Sequence, residues 1–345
     1  MINIFIAGHN GMLGKALVAL LKSVEYRDKY NLICSDSNRL DFRNKQEVDF
    51  FFKNNHIDIV ILAASRFGGM NEHLKYRVDF LQDNLLIYIN IMDCAYRYNV
   101  NKLIFIASTS VYPNNVQIPT NEFELLSGKL NYTQEPYSLS KIIGIKLCQF
   151  YNEQYDTNFI SISPVCLYGE NDNFDLEKSN VLAGIFRKIY LSKLLMENNI
   201  NEILRELNNN SIEESIKYLN SIGVYENKVV LFGTGKPRRE FLHVRDLADV
   251  CMYFVDYINK KDVDNTHTNI GIGINYSIGD LSKIIANTIG YNGDIEFDTS
   301  KPDGVFERLS DCNKIHRLGW KHKICLEQGL KELYIWYLKE RNIKK

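Results

Sequence analysis

The chain lacks a paired-cysteine framework. Its seven cysteines, Cys34, Cys94, Cys148, Cys166, Cys251, Cys312 and Cys325, are scattered, odd in number and free of any Cys-x-x-Cys pair. That excludes a disulfide scaffold and a thiolate zinc site, and reads as reduced thiols in a cytosol with no metal. Net charge is nearly absent as well, at -1 over 345 residues, so the molecule as a whole has little pull on nucleic acid or anionic lipid. No run is long and apolar enough to span a bilayer. The N-terminus enters a strand-like run with no basic segment ahead of it, so no secretory signal is expected and the reading is cytoplasmic. Internal repeats and low-complexity linkers are missing too. What remains is ordinary for a globular protein, with 45% hydrophobic and 24% charged residues, and long enough for a large core and more than one lobe.

Apolar runs of strand length alternate with helical patterns. Strands are expected at Ile2–Ala7, Leu32–Ser35, Ile57–Ala63, Lys102–Ala107 and Phe159–Ser163, with helices at Met12–Lys22, Gln46–Asn54, Phe80–Tyr98 and Tyr137–Tyr155. Uniformly apolar strands separated by helices predict an α/β fold, a doubly wound parallel (Rossmann) sheet covered on both faces. Ligands in such folds sit beyond the C-terminal ends of the strands. After Pro164 the rhythm loosens into strand fragments at Val229–Phe232 and Glu296–Phe297 and helices at Val244–Tyr257, Ile278–Thr288 and Leu326–Lys339. The expected division is a dinucleotide-binding domain over 1–165 plus about 240–272, and a smaller α/β substrate lobe over 166–239 and 273–345. Within that lobe, Ile200, Ile203, Leu204 and Leu207, then Ile212, Ile216 and Leu219, keep helical spacing. Ser211-Ile-Glu-Glu214 has the form of a capping box. Residues 190–228 therefore read as an inserted helical hairpin, which either packs on the surface or against another subunit, or forms a lid over the substrate.

Two motifs carry chemistry. Gly8-His-Asn-Gly11-Met-Leu-Gly14 follows a strand and opens a helix. Glycines there let the backbone approach a pyrophosphate held at the helix N-terminus. At the end of the second strand Asp36 can bond a ribose hydroxyl, which favours NAD, while Arg39 with Ser35 and Ser37 can receive a 2′-phosphate, which favours NADP; both stay open. Asp41 either bonds adenine or caps the helix after it. The second motif is Pro136-Tyr-Ser-Leu-Ser-Lys141. On a helix, positions i and i+4 share a face, so the Lys141 ammonium is expected to favour the Tyr137 phenolate and lower its pKa from about 10. Such a phenol gives a proton to a carbonyl oxygen near neutral pH. Ser108, in Ile106-Ala-Ser-Thr-Ser110, would be the second donor to that oxygen.

Taken together, these motifs resemble the extended short-chain dehydrogenase/reductase family, and within it the GDP-L-fucose synthase branch. The matching segments include Phe67-Gly-Gly69, Ser110-Val-Tyr-Pro113, Glu135-Pro-Tyr137, Leu167-Tyr-Gly169, Asp172-Asn-Phe174, Arg239-Glu-Phe-Leu-His-Val244 and Ser300-Lys-Pro-Asp-Gly304. They span nearly the whole chain apart from 190–228. Gln134 stands where the branch usually has asparagine. The resemblance implies a GDP-4-keto-6-deoxy sugar as substrate, NADPH as cofactor with NADH open, and a homodimer paired through the helices at 80–98 and 137–155. It assigns Ser108, Tyr137 and Lys141 as the catalytic set. To the cofactor it assigns Gly8, Asn10, Gly11, Met12, Leu13, Gly14, Asp36, Ser37, Arg39, Asp41, Ala63, Ala64, Tyr137, Lys141, Pro164 and Leu167. To the substrate it assigns Ser110, Asn173, Asn180, Lys188, Phe232, Arg239 and Lys301. A guanidinium such as that of Arg239 suits a diphosphate.

The chain departs from that branch at the pair of residues that would invert the carbons beside the ketone. There the branch uses a Cys and a His; here Ser110 and Asn180 occupy those positions. A hydroxyl is a far weaker acid than a thiol, and an amide does not titrate. The expected activity is therefore C4 ketone reduction without C3/C5 epimerisation, as in the C4 reductases of GDP-6-deoxy-4-keto-heptose capsule pathways that the chain also resembles. The alternative is the full bifunctional synthase, with Ser110 or His73 standing in; a cofactor-bound protein without turnover is the remaining reading. His73, in Gly69-Met-Asn-Glu-His73, reads either as a loop residue facing the sugar or as an exposed loop histidine.

Overall fold

The computed structural model describes residues 1–35 and 40–343, so Asp36, Ser37 and Arg39 lie outside the described residues. The chain forms two compact units. The first comprises Met1–Leu167, Phe241–Gly273 and Leu309–Lys323; the second comprises Tyr168–Glu240, Ile274–Arg308 and Ile324–Lys345.

The first unit opens with β1 (Ile2–Ala7), α1 (Met12–Leu21), β2 (Tyr30–Ile33), α2 (Lys45–Asn54) and β3 (Ile59–Leu62). It continues with α3 (Met70–Lys75), α4 (Arg77–Arg97), β4 (Lys102–Ile106), α5 (Glu135–Tyr155), β5 (Phe159–Pro164) and the start of β6 (Cys166–Tyr168). In the second unit come α6 (Val181–Met196), α7 (Ile200–Leu207), α8 (Ile212–Ser221), β7 (Lys228–Phe232) and the start of β8 (Arg238–His243). The first unit then resumes with α9 (Val244–Tyr257) and β9 (Thr268–Ile270). The second adds β10 (Asn275–Ser277), α10 (Ile278–Ile289) and β11 (Asp294–Asp298); the first takes α11 (Asn313–Arg317), and α12 (Leu326–Ile343) ends the second.

Six parallel strands in the order β2-β1-β3-β4-β5-β9 make the sheet of the first unit. β3 and β5 are buried along their whole length, as uniformly apolar strands must be when helices cover both faces. Against the sheet, α4 packs on α5 and α1 on α9. Chain order reverses between β1 and β3, so the loops leaving those two strands diverge and open a crevice. The α/β, doubly wound class expected from the sequence is what is found. Lys102, at the foot of β4, donates to the carbonyls of Phe254, Val255 and Ile258 at 3.2, 2.8 and 3.0 Å. One ammonium thus gathers three carbonyls at the C-terminal end of α9, where the helix dipole favours positive charge.

The second unit pairs β7 with β11 in parallel and β10 with the start of β8 in antiparallel. Helix α10 packs on α6 and on α12. The hairpin expected within 190–228 is present as α7 and α8, with Ile203 and Leu219 fully buried. Only half of the expected capping box forms. Ser211 Oγ accepts from the Glu214 amide at 3.3 Å, but the Ser211 amide donates to Asn209 Oδ1 at 3.1 Å instead of to Glu214.

One expected boundary needs correcting. The sequence reading placed all of 273–345 in the second lobe, yet Leu309–Lys323 belongs to the first unit. The Thr120 amide donates to the Leu309 carbonyl and the Asp311 amide to the Thr120 carbonyl, both at 2.8 Å. Lys314 Nζ donates to the Val263 and His267 carbonyls at 3.0 and 2.9 Å. These are single long-range contacts, which leave no periodicity in the sequence to read.

Candidate active site

The Gly-rich segment makes the turn from β1 into α1. Gly8 has φ +97°, and a Cβ there would sit 2.7 Å from the Ala64 amide nitrogen. A Cβ on Gly14 would lie 2.2 Å from the Gly8 carbonyl oxygen. Both positions require glycine, one for its conformation and both for the close approach. Gly11, the N-cap of α1, makes no side-chain capping bond, so the first amides of the helix are available to an anion. Beside them lies a groove of about 480 Å³ lined by Gly8, Gly11, Ala63, Ala64, Ser65 and Arg43. A second part, about 260 Å³, adds Asn10, Ser35 and Asp41.

The residues expected to hold the cofactor divide accordingly. Gly8, Asn10, Gly11, Asp41, Ala63 and Ala64 line the groove. Met12 begins α1, and Leu13 and Gly14 are buried behind the turn. Pro164 and Leu167, at and just beyond the end of β5, are not among its lining residues. Asp41 does not cap α2; Asn44 does, accepting from the Gln46 amide at 3.0 Å. Asp41 instead accepts a guanidinium fork from Arg43, Nε to Oδ1 at 3.0 Å and Nη2 to Oδ2 at 2.8 Å. That hydrogen bonding holds its carboxyl below the usual carboxylate range. Arg43 and Ser65 went unrecognised in the sequence, since neither belongs to a spaced motif.

Two residues beyond β4, Ser108 caps a short turn over Thr109–Val111, its Oγ accepting from the Ser110 amide at 3.1 Å. Ser138, on α5, donates to the Ser110 carbonyl at 2.8 Å. This ties the Ser108–Ser110 segment to the helix that carries Tyr137 and Lys141. Both of those side chains are buried, and Lys141 Nζ is 5.6 Å from the centre of the Tyr137 ring. Lys141 Nζ donates to the Ile106 carbonyl at 2.7 Å and lies 5.0 and 5.1 Å from the rings of Tyr88 and Phe105.

The expected tuning of Tyr137 by Lys141 is not what the structure shows. Burial pushes the Tyr137 phenol upward, and hydrogen bonds with the Ser108 and Ser65 hydroxyls pull it part of the way back. Lys141 itself, stripped of water at 2% exposure, is pushed down to about 7. Desolvation disfavours the charged form of each group and outweighs the pairing inferred from spacing alone.

His73 needs a second correction. It is neither exposed nor on a loop, but 1% exposed on α3. Its ring stacks on Phe80 at 4.2 Å and meets Tyr137 edge-on at 5.5 Å. Burial pushes it down to about 4, so it is a neutral imidazole near pH 7. Ser110 Oγ is buried and, among the described residues, makes no hydrogen bond.

The second unit gathers most of the residues assigned to a nucleotide. Phe232, at the end of β7, is 65% exposed. Its ring lies 5.3 Å from Lys188 Nζ and 5.8 Å from Lys301 Nζ. The segments carrying these groups are pinned together by Thr234, which gives its amide and hydroxyl to Asp303 at 2.8 and 2.7 Å. Arg239 donates from Nη1 to the Arg238 carbonyl at 2.8 Å, and a Cβ on Gly304 would lie 3.2 Å from its Nη2. Asn180 is the N-cap of α6 but makes no side-chain capping bond. Asn173 Oδ1 accepts from the Asp175 amide at 3.0 Å. An exposed aromatic face between two ammonium groups suits a base joined to phosphates.

Among the described residues, no helix is long and apolar enough to cross a membrane, and no group of three His, Cys, Asp or Glu side chains is placed to hold a metal ion. The chain as a whole is similar to known proteins. A GDP-L-fucose synthase from Escherichia coli (strain K12) is 36% identical over 98% of this chain and 97% of that protein. A GDP-6-OMe-4-keto-L-xylo-heptose reductase from C. jejuni superposes with TM-score 0.93 at 42% identity, covering 98% of each chain. A GDP-mannoheptose C4 reductase from Campylobacter jejuni, solved with NADP bound, gives 0.88 at 42% identity over 98% of each chain. The sequence profile of one family matches residues 4–271. The chain belongs to the NAD dependent epimerase/dehydratase family.

Proposed function

We propose that the chain is an NADPH-dependent C4 reductase of a GDP-4-keto-6-deoxy sugar, heptose or hexose, without C3/C5 epimerase activity. The observation that carries the reading is a contrast between two sets of residues. Ser108, Tyr137 and Lys141 are assembled around a single buried phenol, while the two positions for an inverting acid and base hold Ser110 and Asn180. The C. jejuni relatives are named as GDP-heptose reductases, one of them with NADP bound, which supports both the substrate class and the cofactor.

NADPH fits the residues present: glycines at 8 and 14 let the turn fold tightly against Ala64 and against itself, and the uncapped amides of α1 stand beside a groove. Gly8, Asn10, Gly11, Ala63 and Ala64 would hold it. When bound, it supplies the hydride that reduces C4. Ser108 and Tyr137 donate hydrogen bonds to the ketone oxygen, and Tyr137 passes it the proton that completes the alcohol. The Lys141 ammonium stabilises the tyrosinate left behind. In the second unit Arg239, Lys301 and Phe232 hold the diphosphate and the base. The chain would serve surface-polysaccharide sugar synthesis in the cytoplasm.

Replacing Tyr137 by Phe should cut NADPH oxidation with a GDP-4-keto sugar by at least about a thousandfold, within the range of lost general acid catalysis, while NADPH still binds. Undiminished turnover would remove the assigned role. Turnover in deuterated water should leave C3 and C5 unlabelled; label at either carbon means epimerisation, the second reading.

The pH profile follows from Lys141. Its folded pKa lies below the ordinary lysine value, at about 7, so the charged form is present below that pH and lost above it. Tyr137 stays protonated throughout. The value of kcat/KM, which reports the free enzyme, should fall as pH rises through about 7, and Lys141→Arg should carry that limb upward. A profile flat to pH ~10, the ordinary lysine range, would show that Lys141 charge is not required.

Helices α4 and α5 leave Leu86, Ile89, Leu139, Ile143 and Phe150 partly exposed, which supports pairing of two copies through this face. Ile143→Arg should shift the sedimentation behaviour from dimer to monomer; a wild-type monomer would dismiss the pairing.

A further inference from the structure

We infer that the α7–α8 hairpin is a positioning element for the nucleotide end of the substrate: through the Ile222 carbonyl it sets the Lys188 ammonium beside the exposed ring of Phe232. The inference rests on the reading of the second unit as the GDP-sugar lobe.

Arg187 and Lys188 are neighbours on α6, and each holds a different end of the hairpin. Arg187 Nη2 donates to the Glu206 carbonyl at 2.7 Å, at the C-terminal end of α7. Its Nε faces the Glu206 carboxylate at 3.7 Å, which also accepts from the Tyr337 hydroxyl at 3.0 Å. The remaining nitrogen, Nη1, donates to the Phe174 carbonyl at 2.8 Å, in the segment that carries Asn173. Lys188 Nζ donates to the Ile222 carbonyl at 2.7 Å. Ile222 is the C-cap of α8, where the helix dipole adds negative potential.

The carbonyl is itself fixed. Gly223 follows at φ +82°, and its carbonyl accepts from the Val230 amide at 2.7 Å. Val224 and Val229 form an antiparallel bridge, and the Tyr225 amide donates to the Lys228 carbonyl at 2.9 Å. The hairpin therefore ends on β7, the strand whose last residue is Phe232. Ile203 and Leu219 anchor its underside in the core.

A lysine ammonium has three donors, and Ile222 takes one. The others remain for an anion next to an aromatic face that Lys301 also approaches. Without the hairpin carbonyl, a flexible four-carbon stem would regain its rotamer freedom, and the ammonium would move to water. The hairpin thus orders a cation before ligand arrives, which lowers the ordering cost of binding.

The test is a double-mutant cycle on the full-length protein, with GDP as probe and calorimetry as readout. Lys188→Met should weaken GDP at least tenfold and leave NADPH affinity unchanged. In Gly223→Ala the new Cβ would lie 2.5 Å from the Val230 carbonyl oxygen, so the turn and the Ile222 carbonyl must shift. That change should weaken GDP in the wild-type background and have no further effect beside Lys188→Met, because the two act through one contact. Equal losses in both backgrounds, or no loss in either, would overturn the hairpin's role. If Gly223→Ala does not fold by circular dichroism, Leu219→Ala, which loosens the buried anchor of α8 one turn before Ile222, takes its place in the same cycle with the same expectations. Wild-type protein that ignores GDP sinks the reading of the lobe as well. Wild-type protein that binds GDP, with Lys188→Met binding equally, sinks the positioning role alone.

Discussion

A lysine ammonium in near-complete burial is the constraint around which the first unit's site is arranged. Lys141 exchanges water for one carbonyl and three aromatic rings. Burying a cation is costly unless it is hydrogen-bonded, and the carbonyl of Ile106 supplies that bond. Ile106 is the last residue of β4, two positions before Ser108. One contact therefore sets α5 against the end of the strand that presents the second donor. A slip of one residue in β4 would turn Ser108 to the opposite face of the sheet. The position of the catalytic hydroxyl and the charge state of the amine are thus consequences of the same packing.

Burial also decides the electrostatics. Spacing on a helix predicts an ion-like partnership between Tyr137 and Lys141, as between exposed groups. In the folded chain both side chains are dry, and desolvation moves their pKa values apart, the phenol up and the amine down. The hydroxyls of Ser65 and Ser108 act in the other direction on the phenol. Ser65 sits just past β3, and Ser108 just past β4; adjacent parallel strands bring them to one place. No local pattern announces a residue that reaches the site through a sheet neighbour.

Legibility in the sequence followed periodicity. The strands β1, β3, β4 and β5 and the long helices α4 and α5 are uniform or repeating in their apolar residues, and they were readable. So was the turn at Gly8–Gly14, because a strand, a glycine cluster and a helix occur there in order. The short strands β6, β9 and β10 are three residues each and carry no repeat. Helix α3 is one and a half turns with His73 turned inward among aromatic rings, so a histidine that looked loose in the chain is core. Arg43 illustrates another limit. Its fork onto Asp41 is a local contact, but its place on the groove depends on where β2 ends relative to β1.

The order of the strands along the chain has one more consequence. β5 is hydrogen-bonded on one side to β4, and on the other only to β9, through Ile162–Thr268, Ser163–Asn269 and Pro164–Ile270. Residues 165–267 lie between them, and most of the second unit's helices are made from that stretch. During synthesis β5 emerges long before its outer partner exists. A buried, apolar strand with a bare edge is a template for wrong pairing. Closing the sheet over so long an intervening segment costs loop entropy that grows only slowly with length, so the penalty is one of time more than of stability. The first unit cannot be cut away as an N-terminal fragment; its last strand is delivered by a chain that has already begun to build something else.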